Sequence, residues 1–131
     1  MIRLGLDVHG VIDHIPDHLR KLAFMTIQCN GEVHVITGGD KKRTEDQVNK
    51  LSFPYTHFFS IQDYLNDKYY HENIGLNLMD GKLLYPDWLW DKAKALYCKE
   101  NQIDLHIDDS PEYREHFETP FLYFQRKRFT E

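Results

Sequence analysis

Two periodicities alternate along this chain, and the switches between them mark a repeating strand–helix pattern. Ile2 to Asp7 is an apolar run of strand length. From about Pro16 to Gln28 the spacing turns helical, with Leu19, Leu22, Ala23 and Ile27 on one stripe; proline suits the first turn and Asn30-Gly31 the exit. Val33 to Thr37 is a second apolar strand. Gly38-Gly39 turns the chain, and Asp40 can cap a helix from about Lys41 to Leu51. A third strand falls near His57 to Ile61. Gln62 to Tyr85 is the least regular stretch; within it Asp80-Gly81, between short apolar runs, predicts a β-hairpin. Pro86 opens a helix reaching about Glu100. Ile103 to Ile107 is a fourth strand, a short helix follows Pro111, and Phe121 to Phe124 is a fifth strand.

Alternating strands and helices predict an α/β fold, a three-layer Rossmann-like sandwich around a central parallel sheet of about five strands with right-handed crossovers. The hairpin is a small insertion, on the sheet edge or over the site. The 131 residues suffice for one domain, 1–131, with a substantial core. Composition refines this only slightly. No apolar run approaches the roughly 18 residues of a membrane span, and Met1 leads into a strand without the layout of a signal peptide. The expectation is a cytoplasmic protein with no membrane partner, in which Cys29 and Cys98 are reduced thiols. A formal charge of −5 argues against a nucleic-acid partner. The basic run Arg126-Lys127-Arg128 is expected to be a solvated tail.

The chemistry gathers at strand ends. Asp7 closes the first strand, and Asp108-Asp109 follow the fourth. Thr37 closes the second, with Gly38-Gly39 offering backbone amides. Gly10 permits a sharp turn after Asp7. Carboxylates delivered to the carboxyl edge of a parallel sheet, where open α/β sheets bind ligands, describe a cation site.

In order and spacing these segments resemble the haloacid dehalogenase-like superfamily of phosphohydrolases. The resemblance rests on Leu4-Gly5-Leu6-Asp7-Val8-His9-Gly10-Val11, on Val33-His34-Val35-Ile36-Thr37-Gly38, on a lysine near a helix start, and on Leu105-His106-Ile107-Asp108-Asp109. It implies a Mg²⁺-dependent phosphatase that hydrolyses a phosphomonoester through an aspartyl-phosphate on Asp7. It further implies that Asp7, the backbone carbonyl of His9 and Asp108 hold Mg²⁺, with Asp109 completing or orienting the shell. Thr37, the Gly38 amide and a lysine would hold the phosphoryl group. For that lysine the helix pattern favours Lys92. It borders the stripe Leu89, Ala93, Leu96, Tyr97 and lies nearer the helix start, whereas Lys94 points away from that stripe.

The chain departs from the family at His9, where a second aspartate normally serves as acid and base. His9 is expected to take that role itself, since imidazole titrates near neutrality. The alternatives are slow turnover with an accumulating phosphoryl-enzyme, or a catalytically impaired phosphate-binding or interaction module. Asp13 and His14 are expected to cap the first helix rather than touch substrate. His9, His14 and His18 make a poor transition-metal set, and His34, His57 and His106 read as packing histidines of strands. There is no room for a large cap. An open site suits a phosphorylated substrate with a bulky group, or one closed by homo-oligomerisation, while small esters and nucleotides also fit. Tyr64, Tyr69 and Tyr70 are read as edge packing or a dimer contact ahead of a flap over the mouth, and Trp88 and Trp90 as core. A hydrolase acting at carbon is the weakest rival, because it has no use for the cation that the acidic pair is suited to hold.

Overall fold

The computed structural model describes residues 1–69, 76–77 and 83–125. Five strands, β1 (Arg3–Leu6), β2 (Glu32–Thr37), β3 (His57–Ser60), β6 (Leu105–Asp108) and β7 (Phe121–Tyr123), form one sheet in the order β3-β2-β1-β6-β7. Every pairing in it is parallel. The order places β1 centrally, so β1 and its neighbours β2 and β6 all end at the same edge. The expected α/β architecture with a five-stranded parallel sheet is present.

Parallel sheets need cover on both faces, and side-chain parity shows how it is supplied. Leu4, Leu6, Val33, Val35 and Ile107 point to one face, where Leu19 and Ala23 of α1 (Pro16–Gln28) and Val48 of α2 (Lys41–Lys50) complete the core. Ile36 points to the other face and packs with Ile103 and Cys98, the latter from α4 (Asp87–Glu100). Gly5 also lies on this second face. A Cβ there would come within 2.8 Å of His106 Nδ1 and 3.0 Å of Ile36, so glycine lets the His106 ring lie against β1. Asp40 caps α2 as expected, accepting from the Arg43 amide at 2.9 Å.

The segment after β3 differs from expectation. Ile61–Tyr69 forms a helix, α3, instead of an irregular insertion. Its buried residues Ile61 and Leu65 pack with Tyr85, Leu89 and Ala93, and Tyr64 and Tyr69 join that cluster. The two tyrosines therefore serve packing. Ser60 caps the helix, its Oγ accepting from the Asp63 amide at 3.2 Å. The predicted hairpin follows: β4 (Leu76–Asn77) and β5 (Leu83–Leu84) pair antiparallel, apart from the main sheet. Its Asp80-Gly81 turn, Tyr70 and the basic run 126–128 lie outside the described residues. Cys29 and Cys98 are both free thiols. Among the described residues no helix is long and apolar enough to cross a membrane.

Candidate functional site

Strand parity also brings the acids together. Asp7 follows β1 with its amide donating to Ile107 O at 3.0 Å, so the ladder continues to the carboxylate. Being one residue beyond Leu6, Asp7 shares the face of Gly5. Asp108 shares the face of His106 by the same count. Both carboxylates thus look toward α4, and both are buried.

The lysine that meets them is Lys94, which corrects the expectation for Lys92. Lys94 Nζ lies 3.0 Å from Asp7 Oδ1 and 2.7 Å from Asp108 Oδ2, and the residue is only 1% exposed. Lys92 is exposed, its Nζ 5.8 Å from the centroid of the Trp88 ring. The apolar stripe chosen from the sequence was rotated: Leu96 is exposed, whereas Cys98 is fully buried and Trp90 partly so. A stripe through Trp90, Ala93, Lys94, Tyr97 and Cys98 follows helical spacing equally well and includes the lysine.

A second residue not singled out for the site is His106. Its Nε2 is 2.8 Å from Asp108 Oδ2, and its ring is fully buried, stacked on Phe117. Burial pushes this imidazole below its usual range. As a neutral ring it donates Nε2–H to the carboxylate. Asp108 Oδ1 accepts the Ser110 amide at 3.0 Å. Burial alone would raise the Asp108 carboxyl, but the His106 hydrogen bond and the Lys94 charge outweigh it and hold it at about 2. Alternating polar and apolar residues in Leu105-His106-Ile107-Asp108 were the available signal, since they put the histidine and the acid on one face.

Asp7 behaves oppositely. Burial raises its carboxyl most, Lys94 opposes that, and the negative charge of Asp108 adds to it, with a net rise to about 7. Burial is the main cause, and the one ammonium beside Asp7 is shared with Asp108. Asp109 completes the group, and oxygens of Asp7, Asp108 and Asp109 lie within 4.8 Å of one another. Gly10 makes this approach possible. Its φ is +88°, and a Cβ there would overlap the Asp109 carboxylate.

Thr37 and the Gly38-Gly39 turn flank this cluster. Thr37 is fully buried, and its Oγ1 accepts the Gly39 amide at 3.2 Å. Gly38 and Gly39 line the cavity, and Ser60 Oγ fixes their turn by donating to Gly39 O at 2.6 Å. Trp90 packs on Gly38, where a Cβ would sit 3.2 Å from its ring, and donates Nε1–H to Tyr113 Oη at 3.2 Å. The resulting cavity of about 270 Å³ is open and polar, lined by Asp7, His9, Gly38, Gly39, Lys94, Asp109, Ser110 and Tyr113.

His9 stands at the mouth, its side chain 57% exposed and its Nδ1 3.5 Å from Asp13 Oδ2. Asp13 does not cap α1, which has Ile15 at its N-cap and no side-chain cap. Asp13 Oδ1 instead accepts the Gly10 amide at 2.7 Å, closing the turn after Asp7 and holding a carboxylate beside His9. Neither of the two candidate cation clusters among the described residues contains His9, His14 or His18.

The structure therefore brings Asp7, His9, Gly38, Asp108 and Asp109 to one place beside Thr37, adds Lys94 and His106, and leaves Lys92 outside. Three gathered carboxylates, two of them sharing one ammonium, have the hard-oxygen chemistry and excess negative charge that suit a small dication. With Mg²⁺ bonds of about 2.1 Å, neighbouring ligands stand about 3.0 Å apart and opposed ones about 4.2 Å, so the three acids would draw together around the ion. Comparison with models of known families, with curated proteins and with solved structures found no match to this chain.

Proposed function

We propose that this chain is a Mg²⁺-dependent phosphatase of the haloacid dehalogenase-like type, hydrolysing a phosphomonoester through Asp7. The observation that carries this reading is the convergence of Asp7, Asp108, Asp109 and the buried Lys94 at the carboxyl edge, next to the Gly38-Gly39 turn.

Mg²⁺ bound by Asp7, Asp108, Asp109 and the His9 carbonyl would offset the charge of the phosphoryl oxygens. The Asp7 carboxylate, held by Lys94, attacks phosphorus as the bond to the leaving oxygen breaks, giving an acyl phosphate and an alcohol. That alcohol takes its proton from His9, the imidazolium being stabilised by Asp13 at Nδ1. Water then gives a proton to the neutral His9 and attacks the acyl phosphate, releasing phosphate and restoring Asp7. The Gly38 amide and the Thr37 hydroxyl supply donors to the phosphoryl oxygens. His106 and Ser110 keep Asp108 ionised and fixed.

The test is turnover of an aryl phosphate with and without Mg²⁺. Metal-dependent hydrolysis that disappears in Asp7→Asn, with acid-labile phosphate trapped on the wild type, is the expected result. Phosphate and Mg²⁺ binding with no turnover at any pH favours the second reading, a phosphate-binding module. That alternative draws on the exposure of His9 and its long contact to Asp13, a looser acid/base group than a buried carboxyl.

A further inference from the structure

The amino edge of the sheet carries another gathering of ligating side chains. Glu32 opens β2, His57 opens β3, and His34 pairs with His57 in the strand register. A carboxylate oxygen of Glu32 and a ring nitrogen from each histidine lie within 4.8 Å of one another. Thr37, at the other end of β2, is three residues from His34, roughly 10 Å along the strand.

We infer that Glu32, His34 and His57 form a second cation site, suited to a borderline transition metal such as Zn²⁺ and distinct from the acidic cluster. Two imidazoles and one carboxylate are a recurrent zinc donor set, leaving a fourth position for water. His34 Nε2 and Glu32 Oε1 are 2.8 Å apart in a hydrogen bond; neighbouring tetrahedral ligands at bond lengths near 2.0–2.1 Å stand about 3.3 Å apart, so a metal would replace that bond with only a small separation of the pair. The outer contacts fit as well. Nδ1 of His34 meets Tyr97 Oη at 2.6 Å, and Nδ1 of His57 meets Thr56 Oγ1 at 2.9 Å. Metal-bound histidines commonly anchor their other nitrogen in this way. A hydroxyl can donate or accept, so the His34 tautomer can change without losing its anchor.

Two features oppose the metal, and both are surmountable. Arg3 Nε lies 3.3 Å from Glu32 Oε1 and must share that carboxylate. The His34 and His57 rings are stacked at 4.1 Å and 3°, and parallel rings do not aim their lone pairs at one ion. His57 is exposed, and the terminal torsion of histidine is broad, so it can turn out of the stack, exchanging its Thr56 contact for solvent, while buried His34 stays fixed. The bound ion would tie β2 to β3 at the solvent-open end of the sheet.

The experiment is a calorimetric Zn²⁺ titration of the full chain carrying Cys29→Ser, in excess Mg²⁺ to fill the acidic cluster. Co²⁺ visible absorption reports the donor set. One equivalent of Zn²⁺ is expected, weakened at least tenfold by His57→Ala and by Glu32→Gln. Because His57 is exposed, its variant keeps the fold, which circular dichroism verifies. Absence of Zn²⁺ binding, or binding unaffected by His57→Ala, overturns the inference; neither result bears on phosphatase activity.

Discussion

Asp7 and Asp108 share Lys94, yet burial and neighbours send their carboxyls in opposite directions. Asp7, raised to about 7, ionises in the folded chain only at a cost that grows as pH rises from about 4 through 7. Asp7→Asn should therefore stabilise the metal-free protein at pH 8 by roughly 1–3 kcal/mol, and the gain should vanish near pH 4, where the wild-type carboxyl is protonated. Denaturant titrations at the two pH values check this. Asp108, lowered to about 2, contributes stability that is present above about pH 4 and lost as pH falls toward 2. The lysines separate more sharply. Lys94→Met leaves Asp7 and Asp108 facing each other without a cation and should cut kcat at least a hundredfold, whereas Lys92→Met should stay within twofold. Steady-state kinetics of the pair decides which lysine serves the site. For His9, replacement by alanine should cost about 10²-fold or more and remove one limb of the pH–rate profile; an unchanged profile assigns the proton transfers elsewhere.

Among the elements, the turns after strands do the positioning. The five-residue turn Val8–Ile12 contains Gly10 at positive φ, with Asp109 packed where a Cβ would be. Gly10→Ala should destabilise the fold by about 1–3 kcal/mol and push Asp109 aside, weakening Mg²⁺ binding as well. Thermal melts with and without Mg²⁺ separate the two effects. Ser60 serves two elements at once, capping α3 and holding Gly39 O. Much of this was legible in the chain: the strands, α1, α2, α4 and the hairpin all follow from apolar spacing and turn residues. The helix α3 was missed although Ser60-Ile61-Gln62-Asp63 carries a capping signal and Ile61, Leu65 recur at helical spacing. Its tyrosines Tyr64 and Tyr69, read as edge packing or a dimer contact, pack in the cluster with Leu89 and Ala93 of α4.

At the scale of the whole molecule, the site is a charge imbalance held in place by a core built on both sheet faces. A dication that binds only the folded chain stabilises it by about 2.7 kcal/mol at a hundredfold excess over Kd. Mg²⁺ should therefore raise Tm measurably for wild type, and not for Asp108→Asn, in scanning calorimetry. Binding should also release protons below about pH 7, because Asp7 must ionise to act as a ligand.

The sequence alone determined that Asp7, Thr37, Asp108 and Asp109 stand at strand ends, because apolar runs and turn residues fix where strands stop. Strand order, the rotation of α4 that buries Lys94, the partnership of His106 with Asp108 and the meeting of Glu32 with His57 were decided only by tertiary structure. The physical reason is that local spacing sets the period of an element, whereas the face it turns inward depends on what the rest of the chain packs against it.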